Sequence, residues 1–182
     1  MKKFFVTALC LSAVILLPMF LSGCGSSTLD DDTNGDKKVS EFTVFTAEDG
    51  LADNTVTDVV VDYLRKGVWC ATLNGISFYS TVDSTWFTFG AEYDIPKMEV
   101  NSITIDFLTG DVWTGTVSGP ASYGDSTWTA LAEMDSLVHR YITTITILTD
   151  GSIWFGTKGG VSKWDYITGW TSYTAASGLA GE

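Results

Sequence analysis

From residue 42 onward the apolar positions fall into a recurring pattern. Trp86, Trp128 and Trp170 are each 42 residues apart, and Phe42 occupies the same slot 44 residues before Trp86. Nine residues after each stands Leu51, Ile95, Leu137 or Leu179. Then come Val56, Val100 and Ile142, followed by the pairs Val59/Val61, Ile103/Ile105 and Ile145/Ile147. A spacing of two is the period of a half-buried strand. The second half of the unit reads Trp69-Cys70-Ala71-Thr72, Trp113-Thr114-Gly115-Thr116 and Trp154-Phe155-Gly156-Thr157. Three residues beyond each Thr stands Gly75, Gly119 or Gly160, and four later Tyr79, Tyr123 or Trp164. Lys66-Gly67, Thr109-Gly110-Asp111 and Asp150-Gly151 precede the tryptophans as turns, and the length differences between units fall there.

A unit of about 42 residues holding four short strands is the period of a propeller blade. The pattern predicts strands over 55–62, 67–72, 76–80 and 86–89, over 99–106, 111–116, 120–124 and 127–131, and over 141–148, 152–157, 161–165 and 170–174. Residues 42–46 read as a fourth strand without a blade of its own. The expected fold is an all-β, partial β-propeller over 41–182, in four-stranded antiparallel blades. About three blades are present, near 42–89, 90–131 and 132–174, with the start of a further repeat to 182. Closed propellers typically hold about four to eight blades. The chain is therefore expected to be a piece of a longer protein whose missing blades close the ring. Assembly from two or more copies is the alternative, since an open edge invites pairing.

These residues resemble the two-component regulator propeller family. The best copy runs Thr149-Asp150-Gly151-Ser152-Ile153-Trp154-Phe155-Gly156-Thr157-Lys158-Gly159-Gly160-Val161-Ser162. Glu48-Asp49-Gly50-Leu51 and Gly178-Leu179 match the turns between blades. Departures are Ala71 in the first copy, Pro120-Ala121 in the second and Asp94-Ile95 in place of Gly-Leu. The resemblance implies extracytoplasmic ligand detection linked to signalling, with signalling routed through a partner protein.

The N-terminus reads as an address. Lys2 and Lys3 precede an apolar run from Phe4 to Leu21, the form of an export signal. Leu21-Ser22-Gly23-Cys24 resembles the bacterial lipobox, which implies cleavage after residue 23 and lipidation of Cys24. The expected product is a lipid-anchored protein of the cell envelope. Gly25 lacks the Asp that retains enteric lipoproteins at the inner membrane, so the outer membrane is favoured. Residues 24–40 read as an acidic, flexible tether. Within it Asp30, Asp32, Asn34, Gly35 and Glu41 match the spacing of a calcium loop. Lys37 interrupts that pattern and no helix precedes it, so the acidic tether is the preferred reading and calcium the alternative. The acidic run also resembles surface-export signals of some Gram-negative lipoproteins.

Charge narrows the functions further. Ten basic against 22 acidic residues give a formal charge of −12, which argues against a nucleic-acid partner. Cys70 remains as the lone thiol once Cys10 and Cys24 are accounted for, and reads as a buried structural residue. His139 is the single histidine, so no zinc cluster is built from His and Cys. Neither a nucleophile elbow nor a phosphate loop is present. The recurring tryptophans read as core rather than a sugar platform. Ligand loops are expected at 47–54, 90–98 and 132–140, sharing a face with 73–75, 117–119 and 158–160. That face would carry Glu48, Asp49, Asp53, Glu92, Tyr93, Asp94, Glu133 and Asp135, with Tyr141 beside it. The expected function is a non-catalytic binding or sensing module for a small molecule or protein. The alternatives are an envelope polysaccharide lyase or hydrolase with its active site in other blades, and a protein–protein scaffold.

Overall fold

The computed structural model describes residues 42–90, 93, 95, 99–131 and 134–180. They form twelve strands in three four-stranded antiparallel sheets. Blade 1 holds β1 (Val56–Asp62), β2 (Gly67–Thr72), β3 (Gly75–Ser80) and β4 (Thr85–Phe89). Blade 2 holds β5 (Val100–Ile105), β6 (Val112–Thr116), β7 (Gly119–Gly124) and β8 (Thr127–Ala130). Blade 3 holds β9 (Ile142–Ile147), β10 (Ile153–Thr157), β11 (Gly160–Asp165) and β12 (Gly169–Tyr173). Each blade is a simple meander, and the three share the all-β propeller architecture the repeat predicts. The strand bounds agree with the sequence pattern to within one residue at most ends. Two single-turn 3-10 segments, Met134–Ser136 and Ala175–Ser177, interrupt loops that the pattern leaves irregular.

The Trp-x-Gly-Thr signature has a mechanical explanation at each position. The threonine pins the turn between second and third strands. Thr72 Oγ1 donates to the Gly75 carbonyl, Thr116 to Gly119 and Thr157 to Gly160, each at 2.8 Å. The same oxygens accept from the amides of Asn74, Ser118 and Gly159. The turn requires positive φ at Gly75, Gly119 and Gly160, of 125°, 135° and 136°, a conformation that favours glycine. The glycine inside the signature serves the next blade. A Cβ on Gly115 would lie 2.4 Å from Cγ2 of Ile142, so the bare backbone is the seat for the following inner strand.

Neighbouring blades are tied through their inner strands, β1 to β5 to β9. Each inner strand is irregular near its start, between Val56 and Asp58 and again between Val100 and Ser102. The residue in each irregularity reaches the next blade: Thr57 Oγ1 donates to the Val100 carbonyl at 2.6 Å and Asn101 Nδ2 to that of Ile142 at 2.7 Å. The following side chain accepts in return. Asp58 Oδ2 takes the Ile103 amide at 3.0 Å, and Ser102 Oγ takes the Ile145 amide at 3.3 Å. Buried backbone groups need such partners, and here one blade supplies them to the next.

The apolar core accordingly lies between blades. Trp69, Ala71, Ile76 and Phe78 of blade 1 pack on Val100, Ile103, Ile105, Val112 and Trp128 of blade 2. Trp113 of blade 2 packs with Ile142, Ile145, Ile153 and Phe155 of blade 3. At the far end of blades 1 and 2 a polar clasp adds to this. Buried Asp62 accepts from the Arg65 guanidinium at 2.8 Å and the Trp69 indole at 2.9 Å. Arg65 also donates to the Gly110 carbonyl and lies over the Tyr123 ring. Burial alone would raise the Asp62 carboxyl. Hydrogen bonds from the Arg65 backbone, Trp69 and the guanidinium, with the guanidinium charge, outweigh it and hold the group below the ordinary carboxylate value.

Candidate functional site

The two families of loops meet on one face of every blade, as the repeat predicts. Three equivalent backbone hydrogen bonds join them: Leu73 N–H to Thr55, Val117 to Glu99 and Lys158 to Tyr141. The turn between second and third strands therefore always rests against the segment that enters the inner strand. Sequence variation concentrates in these loops, while the strands beneath keep register. That division suits a rigid scaffold carrying a variable surface.

Of the four acidic residues predicted on this face that are among the described residues, three are bonded within their own loops. Asp49 Oδ2 accepts from the amide and hydroxyl of Thr46. Asp53 Oδ1 accepts from the Thr55 amide at 2.7 Å. Asp135 pairs with Arg140, both exposed, a type of ion pair that contributes little to stability. Glu48 is exposed in its turn. Tyr93 is 39% exposed, yet its ring sits edge-on to Phe89 at 5.0 Å, extending the core cluster outward. Among the described residues no group of three or more His, Cys, Asp and Glu side chains converges on a metal-sized site. Glu92, Asp94, Glu133, the lipidation residue Cys24 and the calcium-pattern residues Asp30, Asp32, Asn34 and Glu41 lie outside the described residues.

Blade 3 presents a different chemistry at the same level. The Lys158 ammonium lies 3.6 Å from the centre of the Tyr141 ring. His139 Nδ1 accepts from the Tyr141 amide at 2.9 Å, so the neutral ring carries its proton on Nε2. Arg140 stands between them in sequence. The result is an exposed strip of Lys158, His139 and the Asp135-paired Arg140 around a half-buried Tyr141 ring, on an otherwise acidic chain. The sequence placed Tyr141 beside the loop face. It gave no sign that Lys158, across the blade turn, would cover that ring.

Most of the tryptophans belong to packing. Trp69, Trp113 and Trp128 are buried, and Trp69 contacts Phe78, Phe89, Tyr123 and Trp128. Trp154 departs from its counterparts: it is half-exposed on the open side of blade 3, stacked on Tyr173 at 5.7 Å. With Val161 and Leu179 these rings line an open cleft of about 360 Å³. Cys70 is buried, and burial pushes its thiol up, away from nucleophilic character.

No family model matches the chain, and no curated protein matches it. Solved structures do. The extracellular domain of a protein described as a hybrid two-component system from B. thetaiotaomicron superposes with a TM-score of 0.64 at 21% identity, over 74% of this chain and 20% of that one. A second such domain from the same organism gives 0.51 at 23% identity, over 59% of this chain and 15% of that one. A third structure, described as the extracellular domain of a one-component system, gives 0.52 at 20%, over 69% and 17%. The chain thus spans about a fifth or less of the length of the structures it matches. At these identities the likeness is one of fold, and it agrees with the β-propeller read from the repeat.

Proposed function

We propose that the chain is an exported, lipid-anchored module of the cell envelope that binds a ligand on its loop face and serves sensing rather than catalysis. The convergence of both loop families on one face of three rigid blades carries this reading. The strip of exposed Lys158, His139 and Arg140 around half-buried Tyr141 is its best-formed ligand edge, suited to an acidic or hydroxyl-rich ligand. The fold shared with extracellular domains of two-component systems supports a role in detection outside the cytoplasm. The lipobox at Cys24 supports anchoring, with the outer membrane as the favoured destination.

The test is a thermal-shift panel of neutral and acidic oligosaccharides on the whole chain, with hits titrated calorimetrically. A hit that loses about tenfold or more in affinity, roughly 1.4 kcal/mol, in the Tyr141→Ala/Lys158→Ala double variant supports the reading. Turnover of a hit into products would replace it with an enzyme. Absence of any hit, together with stable capture of an envelope protein, would replace it with a scaffold. Anchoring is tested separately: Cys24→Ser should abolish incorporation of labelled palmitate.

A further inference from the structure

Each blade is a meander, so its first-to-second and third-to-fourth turns lie at the end away from the loop face. The two ends differ in surface chemistry. Among the described residues, the nine most exposed large apolar side chains range from 63% to 94% exposure. Six of them form consecutive pairs on far-end turns: Tyr63-Leu64 of blade 1, Phe107-Leu108 of blade 2 and Tyr166-Ile167 of blade 3. A seventh, Val82, stands on the second far-end turn of blade 1. The other two are Phe42 and Val44, where the described chain begins. Leu73, the most exposed large apolar residue described on the loop face, reaches 43%.

The far-end turns touch one another. Cδ1 of Leu64 lies 3.2 Å from the Cβ position of Gly110, and Cδ1 of Leu108 lies 3.7 Å from that of Gly151. Phe107, Leu108 and Leu148 border a hollow of about 130 Å³ between blades 2 and 3. Single exposed apolar residues are ordinary, but a row of them across three blades marks an interaction surface. Turn tips normally carry Gly, Asn, Asp or Ser, so local conformation does not account for the pairs. The same turns hold Arg65 and Lys66 against exposed Asp83, Asp125 and Asp150, which leaves no excess of cations. Asp83 and Asp150 are satisfied within their turns, by the Thr85 hydroxyl and the Ser152 amide. The chain also enters the fold here. Phe45 packs on Tyr79 and Trp86, a pair one step from a far-end turn, and Thr46 opens the turn on the loop face. Phe42 therefore stands on the far-end side of this segment.

We propose that this end is a membrane-docking face, whose three apolar pairs and Val82 dip into a neutral, zwitterionic phospholipid surface and turn the loop face away from it. The proposal rests on the envelope anchoring proposed above: the lipid at Cys24 supplies attachment and the turns supply orientation. The pairs stand on protruding turns rather than in a groove, a form that suits a soft interface. Leucine, isoleucine and phenylalanine enter the acyl boundary, to a depth of about 5–10 Å. Tyr63 and Tyr166 carry phenols suited to the headgroup level. The mixed charge of the turns selects neutral over anionic lipid, which basic clusters would recognise. Docked in this way, the Lys158 and Tyr141 edge faces the aqueous side, open to ligand.

The test places a thiol-reactive fluorescent dye at each end of the whole chain, reconstituted in phosphatidylcholine vesicles. Leu64→Cys, Phe107→Cys and Ile167→Cys report the far end, and Asn74→Cys and Ser118→Cys the loop face. Cys70 is buried, and the parent chain treated with dye is the blank. Quenching by doxyl-bearing lipid is compared with quenching by aqueous iodide. The doxyl-to-iodide ratio should be about tenfold or more higher for far-end labels than for loop-face labels, as insertion to the acyl boundary requires. A Val82→Cys label should lose its doxyl quenching in a chain that also carries Leu64→Ser, Phe107→Ser and Ile167→Ser. These exposed substitutions should leave the circular dichroism unchanged. Palmitate incorporation, read on the same chains, separates the docking from the anchor. Far-end labels open to iodide on a palmitate-bearing chain overturn the docking and leave the anchor standing. Doxyl quenching without palmitate sustains the docking and removes the anchor, and the absence of both signals removes both. Far-end labels shielded from iodide yet beyond the reach of doxyl lipid overturn the docking in favour of a protein partner.

Discussion

Blade 2 and blade 3 are written in the same residue code, but blade 2 is covered on both faces and blade 3 on one. In blade 2 the second strand is buried at all five positions of Val112–Thr116. In blade 3 the equivalent strand is buried only at Ile153 and Phe155, on the side that meets blade 2. The inner strands follow suit. Ser102 is buried and bonded to both neighbours, whereas Thr143 and Thr144 are exposed. A propeller blade therefore has no core of its own. Its side chains become core when the next blade arrives, and identical residues differ in worth according to what lies beside them.

The largest test of that comparison is a tryptophan pair. Trp69→Ala should destabilise the chain by about 3–5 kcal/mol, because it empties a fully buried site between two blades. Trp154→Ala, in the equivalent slot on an open face, should cost about 1 kcal/mol. Urea unfolding followed by circular dichroism measures both, and equal losses would break the comparison.

The next test uses the glycine seats. Gly115→Ala pushes a methyl against buried Ile142, whose Cβ would be 2.9 Å away, and should cost about 1–3 kcal/mol. Gly156→Ala meets Cγ2 of exposed Thr144, which is free to rotate away. A loss under about 0.5 kcal/mol is expected there, the range of surface substitutions. The same unfolding series reads both.

A third test separates polar from apolar ties between blades. The Asp62 carboxyl is held below its ordinary value in the folded chain. Its contribution is therefore complete above the unfolded carboxylate value, near pH 4, and is lost as pH falls through the lower folded value. Stability measured from pH 6 down to pH 2.5 should decline in that window, and Asp62→Asn should flatten the decline. At pH 7 the same variant should cost about 1–2 kcal/mol, since the Arg65 and Trp69 bonds weaken.

The smallest effect is expected at the inner-strand relay. Ser102→Ala removes both the acceptor of the Ile145 amide and the donor to Asp58 Oδ2 and should cost about 1 kcal/mol. Thr144→Ala at the equivalent open position should be within about 0.5 kcal/mol of the parent. Faster amide exchange at Ile145 in the serine variant alone would sharpen the comparison to one hydrogen bond.

How much of this was legible beforehand depends on whether a feature recurs along the chain. Period-two apolar pairs and the Trp-x-Gly-Thr signature located all twelve strands, because each repeat independently reports the same local conformation. The threonine-pinned turn follows from residues three apart, so spacing alone exposes it. On the loop face the chemistry of individual aspartates is set by their own turns. Asp49 and Asp53 turned inward on their own turns, a local hydrogen-bonding habit of aspartate that competes with any ligand. The Lys158–Tyr141 contact joins residues on different loops and had no periodic signal.

The amino-acid sequence by itself determined the blade: its four strands, its turns and the positions that must be small or aromatic. These are set by backbone conformation and residue size, which act over a few neighbours. Only the tertiary structure decided what each blade face is worth. Asp58 bonding across to Ile103, Gly115 seating Ile142, and Phe45 lodged on Tyr79 all depend on which surfaces come together. Burial is a property of pairs of elements, and a repeat that reads alike in three places is core in one and open surface in another.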